Sequence, residues 1–264
     1  MLELAVAVAL MVGTWAALRG GFRGLRGFQL AGFDLNALGL AVVAVAAAMY
    51  FWGVLFGLAL MVAVVIHEFG HVAAFRVCGH ADARFRLVPL MGGVAISSQQ
   101  PASANHALFI TLMGPAICLA PMVLCFALFN VLSQTESIVG LELANFLYVQ
   151  GLVLGALNFF NLLPLWPLDG GKIAQRLVFT FAPDMTRTVS MGMMVLAVAL
   201  CVLSRSFFLL FFVLMSWPGL VQSEQLLRAQ RGMTKRTAWL ALAAYLATTA
   251  CFFLAGAPML MGFF

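Results

Sequence analysis

Charge is scarce in this chain. Lys, Arg, Asp and Glu make up 9% of its 264 residues, against about a quarter in soluble domains. With 64% hydrophobic residues, the apolar surface is more than a single core can hide, which excludes a water-soluble globule. The five cysteines, Cys78, Cys118, Cys125, Cys201 and Cys251, have no paired spacing and four lie in apolar runs. They are read as small hydrophobes rather than a disulfide framework. Only four histidines are present, too few for a di-iron membrane oxygenase, which needs a larger His and carboxylate set. No basic cluster precedes the first apolar run. Glu3 stands there and the arginines follow, the reverse of a cleaved signal peptide, so residues 2–18 are expected to be a retained first span.

What is present is a series of apolar runs: residues 2–18, 37–51, 54–77, 106–132, 143–163, 188–203, 207–221 and 238–254. In lipid such runs must be helices, because every backbone polar group needs an internal partner. The expected class is an all-α polytopic membrane protein of six to eight transmembrane helices. Arg205, in the middle of residues 187–221, predicts a tight turn rather than one continuous helix. On an eight-span reading, 13 of the 14 Lys and Arg residues fall on one side and only Arg205 on the other, which makes the first side cytoplasmic. The net charge of +5 is then a topology signal and not a nucleic-acid footprint.

Residues 79–105 do not read as helix. The stretch FRLVPLMGGVAIS suggests short extended segments around Gly92 and Gly93, a small β element near residues 85–97 lying on the cytoplasmic side or dipping into the bundle.

The acids separate once the runs are drawn. Glu3, Asp34, Asp82, Glu136, Glu142, Asp184 and Glu224 fall in loops or at span ends, whereas Glu68 lies inside a run and Asp169 follows one closely. Ionisable groups at such depth are expensive and default to function. Glu68 belongs to His67-Glu68-Phe69-Gly70-His71, an HExxH sequence. On a helix, residues i and i+4 project roughly 40° apart on successive turns, so two imidazoles can hold one metal with Glu68 beside it, placed to take a proton from water. A purely structural bracing role gives no reason for three such groups in one turn within lipid. His80 and His106 flank a loop and a span start and are read as polar flanks.

A catalytic zinc takes three protein ligands and keeps one position open. Asp169 is the candidate third ligand, as the remaining acid at comparable depth on the side of His71. The segment NLLPLWPLDGG, residues 161–171, carries two prolines and two glycines that would unwind a helix.

HEFGH followed by NLLPLWPLDGG resembles the site-2 protease family of zinc intramembrane metalloproteases, over residues 54–176 and most strongly at the two motifs. The resemblance implies one Zn2+ per chain on His67, His71 and Asp169, with Glu68 as catalytic acid/base. It implies that Asn161 helps hold the substrate or its oxyanion, and that the Gly92-Gly93 stretch is the family's extended segment. Gly114-Pro115 resembles a further family motif, but Cys118 stands where an Asn often follows, so no catalytic role is assigned there. The motif spacing leaves no room for an inserted PDZ domain, and with no C-terminal regulatory domain expected a minimal core is implied.

The organisation expected is residues 1–53 as N-terminal spans, 54–186 as a catalytic metalloprotease membrane core, and 187–264 as C-terminal spans. The function expected is zinc-dependent endoproteolysis in or near a transmembrane segment of another protein. Its partners would be a transmembrane protein or peptide substrate and the lipid bilayer, with no nucleic acid. The setting would be a bacterial or archaeal cell membrane, with the active site toward the cytoplasm. Three alternatives stand beside it: a membrane transporter or metal-handling protein using the same residues, a zinc protease with a Glu third ligand, and an inactive scaffold.

Overall fold

The computed structural model describes residues 2–21, 42–43, 46, 49–50, 53–88 and 92–261. The apolar run at residues 37–51 therefore lies mostly outside the described residues. In chain order the elements are α1 (Leu2–Leu18), α2 (Val54–Val77), β1 (Arg84–Val88), β2 (Gly92–Ile96), α3 (Ala104–Ile117), α4 (Leu119–Leu132) and α5 (Ile138–Asn161). They continue as α6 (Asp169–Phe181), a 3-10 turn (Pro183–Met185), α7 (Thr186–Leu203), α8 (Phe207–Met215), α9 (Trp217–Ala229) and α10 (Lys235–Met261).

Among the described residues five helical segments are long and apolar enough to cross a bilayer: Val54–Val77, Ala104–Leu132, Ile138–Asn161, Pro183–Leu203 and Lys235–Met261. The shorter apolar α1 precedes them. The all-α polytopic class is borne out, and β1 and β2 form the small extended element as an antiparallel pair in which Val88 faces Gly92 and Leu87 faces Gly93. Gly92 and Gly93 thus sit within a strand.

At Arg205 the chain turns as its charge suggested. Its φ is 54°, the left-handed conformation that ends helices, and the N–H of Ser206 closes the turn on the carbonyl of Cys201 at 2.9 Å. Beyond it the structure departs from the sequence reading. The run at residues 207–221 is not one helix but α8 and the start of α9. Pro218, in the first turn of α9, cannot continue the ladder from α8. The nine residues of α8 extend only about 14 Å, half the hydrocarbon thickness.

The chain divides into two compact units. The first comprises residues 1–100, 113–159 and 248–264. Small residues set its helix approaches, as expected where lipid gives apolar contacts no special advantage. A Cβ on Gly70 would strike the carbonyl of Met113, and one on Gly155 would strike the backbone of Gly256. Polar ties add direction: the Gln150 amide donates to the Ala59 carbonyl at 3.2 Å, and Asn130 donates to Glu3 at 2.7 Å.

The second unit comprises residues 101–112 and 160–247. Its core gathers Leu165, Trp166, Met194, Ala197, Cys201, Val213 and Leu220. The indole N–H of Trp166 donates to the Ser216 carbonyl at 3.2 Å, and the Tyr245 hydroxyl donates to the Leu162 carbonyl at 2.6 Å. Gln175 donates to Ser190 at 3.0 Å and accepts from Ser223 at 3.0 Å, joining α6, α7 and α9.

Candidate functional site

The HEFGH turn lies within α2, flanked on its N-terminal side by the apolar LALMVAVVI. His67 and His71 are buried and Glu68 is half-buried. The two Nε2 atoms stand 3.1 Å apart. Nitrogens bound at about 2.0–2.1 Å to one tetrahedral zinc ion are roughly 3.3 Å apart, so the imidazole pair fits the ion.

Three neighbours shape this turn. The Nδ1 of His67 lies 2.8 Å from the Oδ1 of Asn158, a residue of α5 with no exposed surface. The backbone N–H of Ala95 in β2 donates to the Oε2 of Glu68 at 3.0 Å. Gly114 of α3 faces His71 so closely that a Cβ there would overlap the imidazole. Gly114, which was assigned no catalytic role, is thus a packing position: its missing side chain leaves room for His71.

At the end of α2 a second polar cluster fixes the hairpin. His80 is buried, with its Nδ1 2.9 Å from the Ser97 hydroxyl. Ser97 donates to Asp82 at 3.0 Å, and Ser98 donates to the other oxygen of Asp82 through its N–H and its hydroxyl, each at 2.6 Å. His80 is thus a satisfied clip rather than a simple polar flank, whereas His106 is exposed.

Asp169 is the first residue of α6 and is buried. Its position follows from the turn before it. Leu163 bonds back to Phe160, Leu165 to Leu163 and Leu168 to Leu165, at 3.1, 2.7 and 2.9 Å. A Cβ on Gly170 would strike the carbonyl of Leu162, and one on Gly171 that of Leu165, so the two glycines let the turn fold over the start of α6. Lys172 donates to the Asp169 carboxylate at 3.0 Å. Burial pulls the Arg176 guanidinium down to about 10, with the Asp169 carboxylate opposing that shift. Asn161 is half-buried at the C-terminal residue of α5.

Two buried imidazoles and one buried carboxylate, those of His67, His71 and Asp169, form a group that could bind a metal ion. A pair of histidines with one carboxylate suits a catalytic zinc with one position left open. Sequence reasoning missed Asn158, Gly114 and the Ala95 N–H. Asn158 was detectable, since an amide inside an apolar run is itself a functional signal. A backbone donor in a strand has no sequence signature.

Comparison with known proteins agrees with the motifs. Residues 129–204 match the model of Peptidase family M50, a stretch that includes Asn161 and Asp169. A zinc metalloprotease of Methanocaldococcus jannaschii is 32% identical over 130 residues, which is 48% of this chain and 35% of that protein. The chain therefore spans about a third of the length of that relative. The solved structure of a site-2 protease from the same organism aligns with a TM-score of 0.44 and 22% identity, over 72% of this chain and 88% of that one.

Proposed function

We propose that this chain, part of which matches Peptidase family M50 and a zinc metalloprotease, is a zinc-dependent intramembrane endoprotease of the site-2 protease type. It hydrolyses a peptide bond in or near a transmembrane segment of another membrane protein. The observation that carries the reading is the 3.1 Å approach of the His67 and His71 Nε2 atoms, with Glu68 on the same turn of an apolar helix. Residues 54–186 are its catalytic core. His67, His71 and Asp169 hold one zinc ion.

The ion would supply Lewis acidity and bring the pKa of water to about 7. Glu68 accepts the proton from the attacking water and returns it to the leaving amine. The Ala95 N–H orients the Glu68 carboxylate for that exchange. Asn161 holds the substrate or donates to its developing oxyanion.

A transmembrane helix cannot offer a carbonyl while its own hydrogen bonds are closed, so it must be locally unwound and its freed groups paired. The β2 edge suits that pairing. The Ala95 N–H faces Glu68 and Gly93, two residues along, presents its backbone to the same edge. Glycine at 92 and 93 lets another backbone approach closely. On the partition of Lys and Arg, the site opens toward the cytoplasm of a bacterial or archaeal cell.

The test is Glu68→Gln in the full chain. It should retain zinc and lose proteolysis, and membrane proteomes of cells carrying it should accumulate single-span fragments that wild-type cells clear. Cleavage at the wild-type rate would sink the assignment.

A further inference from the structure

Asn158 is a polar side chain with no exposed surface in the apolar helix α5. Its amide nitrogen donates to the Leu154 carbonyl at 2.8 Å. A carbonyl oxygen only accepts, so Nδ2 must face the helix and Oδ1 is left facing His67. There it meets Nδ1 at 2.8 Å. Because this oxygen also only accepts, the hydrogen of the imidazole must sit on Nδ1. A neutral imidazole with its hydrogen on Nδ1 carries its lone pair on Nε2, and Nε2 is the atom turned toward His71.

The geometry points to Asn158 as a positioning residue that selects the metal-binding nitrogen of His67, an inference that rests on the metal site proposed above. The order runs from carbonyl to amide to imidazole, and each step leaves one choice. A flipped amide would set Oδ1 against the Leu154 oxygen and Nδ2 against the Nδ1 hydrogen, losing both bonds. The outer partner of a metal-bound histidine fixes its tautomer and ring orientation and raises its basicity as a ligand. Here that partner comes from a different helix, so metal affinity is coupled to the packing of α5 on α2 through one side chain. Asn158 touches no reacting atom and acts through His67.

The experiment measures zinc affinity of the purified full chain by competition with a chromophoric chelator. Visible absorption of the cobalt-loaded protein reports coordination, and the melting temperature is read alongside. Asn158→Leu removes the acceptor and should weaken zinc binding about 10–100-fold. Asn158→Asp keeps an acceptor for the Nδ1 hydrogen and, with its buried carboxyl protonated, a donor for the Leu154 carbonyl, so it should bind within a few-fold of wild type with the wild-type cobalt spectrum. If the Leu variant does not fold, Asn158→Ala makes the same comparison. Wild-type affinity in the Leu or Ala variant would overturn the inference. So would equal weakening in the Asp variant, which is what a purely structural residue gives. Failure of the underlying metal site looks different: wild-type protein would take up no zinc, or His67→Ala would bind it undiminished.

Discussion

The N–H of Ala95 reaches the Oε2 of Glu68 at 3.0 Å, so a strand outside the HExxH helix holds the carboxylate of that motif. Ala95 pairs with Phe85 in register, yet its N–H is committed to Glu68. Antiparallel pairs alternate between hydrogen-bonded and non-hydrogen-bonded, so Ala95–Phe85 is non-hydrogen-bonded and Val94 donates into the ladder with Arg86. The two neighbouring residues therefore do separate tasks. Ala95→Pro removes the hold on Glu68 and leaves the ladder, whereas Val94→Pro breaks the ladder. Both should impair cleavage with zinc retained. For Ala95→Pro a drop of roughly tenfold or more is expected, the scale of a hydrogen bond to a charged group. Cleavage at the normal rate by both variants, with fold and zinc intact, would remove β2 from the mechanism.

The ligand set is tested by metal analysis of purified His67→Ala, His71→Ala and Asp169→Ala proteins. Each should lose most of its zinc. Asp169 is held by Lys172 at 3.0 Å, so Lys172→Met serves as a control for disturbance of α6 alone. Full zinc in the Asp169 variant would show that another group is the third ligand.

Gly114 makes a sharper test of packing. The added methyl of Gly114→Ala would occupy the volume of the His71 imidazole. Either the ring moves off the metal or α3 moves off α2, and overpacking of this kind costs about 1–3 kcal/mol. Lower zinc occupancy together with a lower melting temperature is expected. Unchanged values for both would mean that the helices yield without cost.

The approach of His67 and His71 was legible in the sequence because its spacing is a property of one helix: i and i+4 meet whatever surrounds them. The strand pair was legible because Gly and Pro interrupt the apolar periodicity near residues 85–97. Ties between distant segments were not. Asn158 was visible as an amide in lipid, but its aim at His67 depends on how α5 packs on α2. The break at Ser216 to Pro218 shows a different failure. Residues 207–221 were judged by hydropathy, which does not register that one proline divides two short helices.

That break bears on topology. A cytoplasmic position for residues 222–236, which the eight-span partition of Lys and Arg implies, requires that residues 207–221 cross the membrane, and neither α8 nor α9 is long enough to do so alone. Single cysteines placed in a Cys-free background should report residues 98–100 and 172–187 from the cytoplasm and residues 133–137 from outside, as the arginine partition requires. The assignment fails if labelling reverses these sides. A reagent reaching residues 222–236 only from outside would show that residues 187–221 cross once or re-enter.

The cluster around Asp82 yields the last expectation. Its carboxylate takes hydrogen bonds from Ser98, through N–H and hydroxyl, and from Ser97, and those bonds hold its carboxyl down to about 2. Ser98 lies three residues beyond Ala95, so this clip fixes the exit of β2 just as Glu68 fixes its middle. A carboxyl depressed on folding favours the folded state fully above its ordinary value of 3.8, and that contribution fades as pH falls toward about 2. Across pH 5–8 it is constant. Asp82→Asn should therefore loosen the hairpin equally at every working pH, lowering cleavage several-fold without changing the shape of the pH–rate profile. Amide hydrogen exchange at Ala95 and Ser98 should quicken in the variant while zinc content holds. A pH optimum displaced by Asp82→Asn would assign this carboxylate a titrating role that its hydrogen bonds argue against.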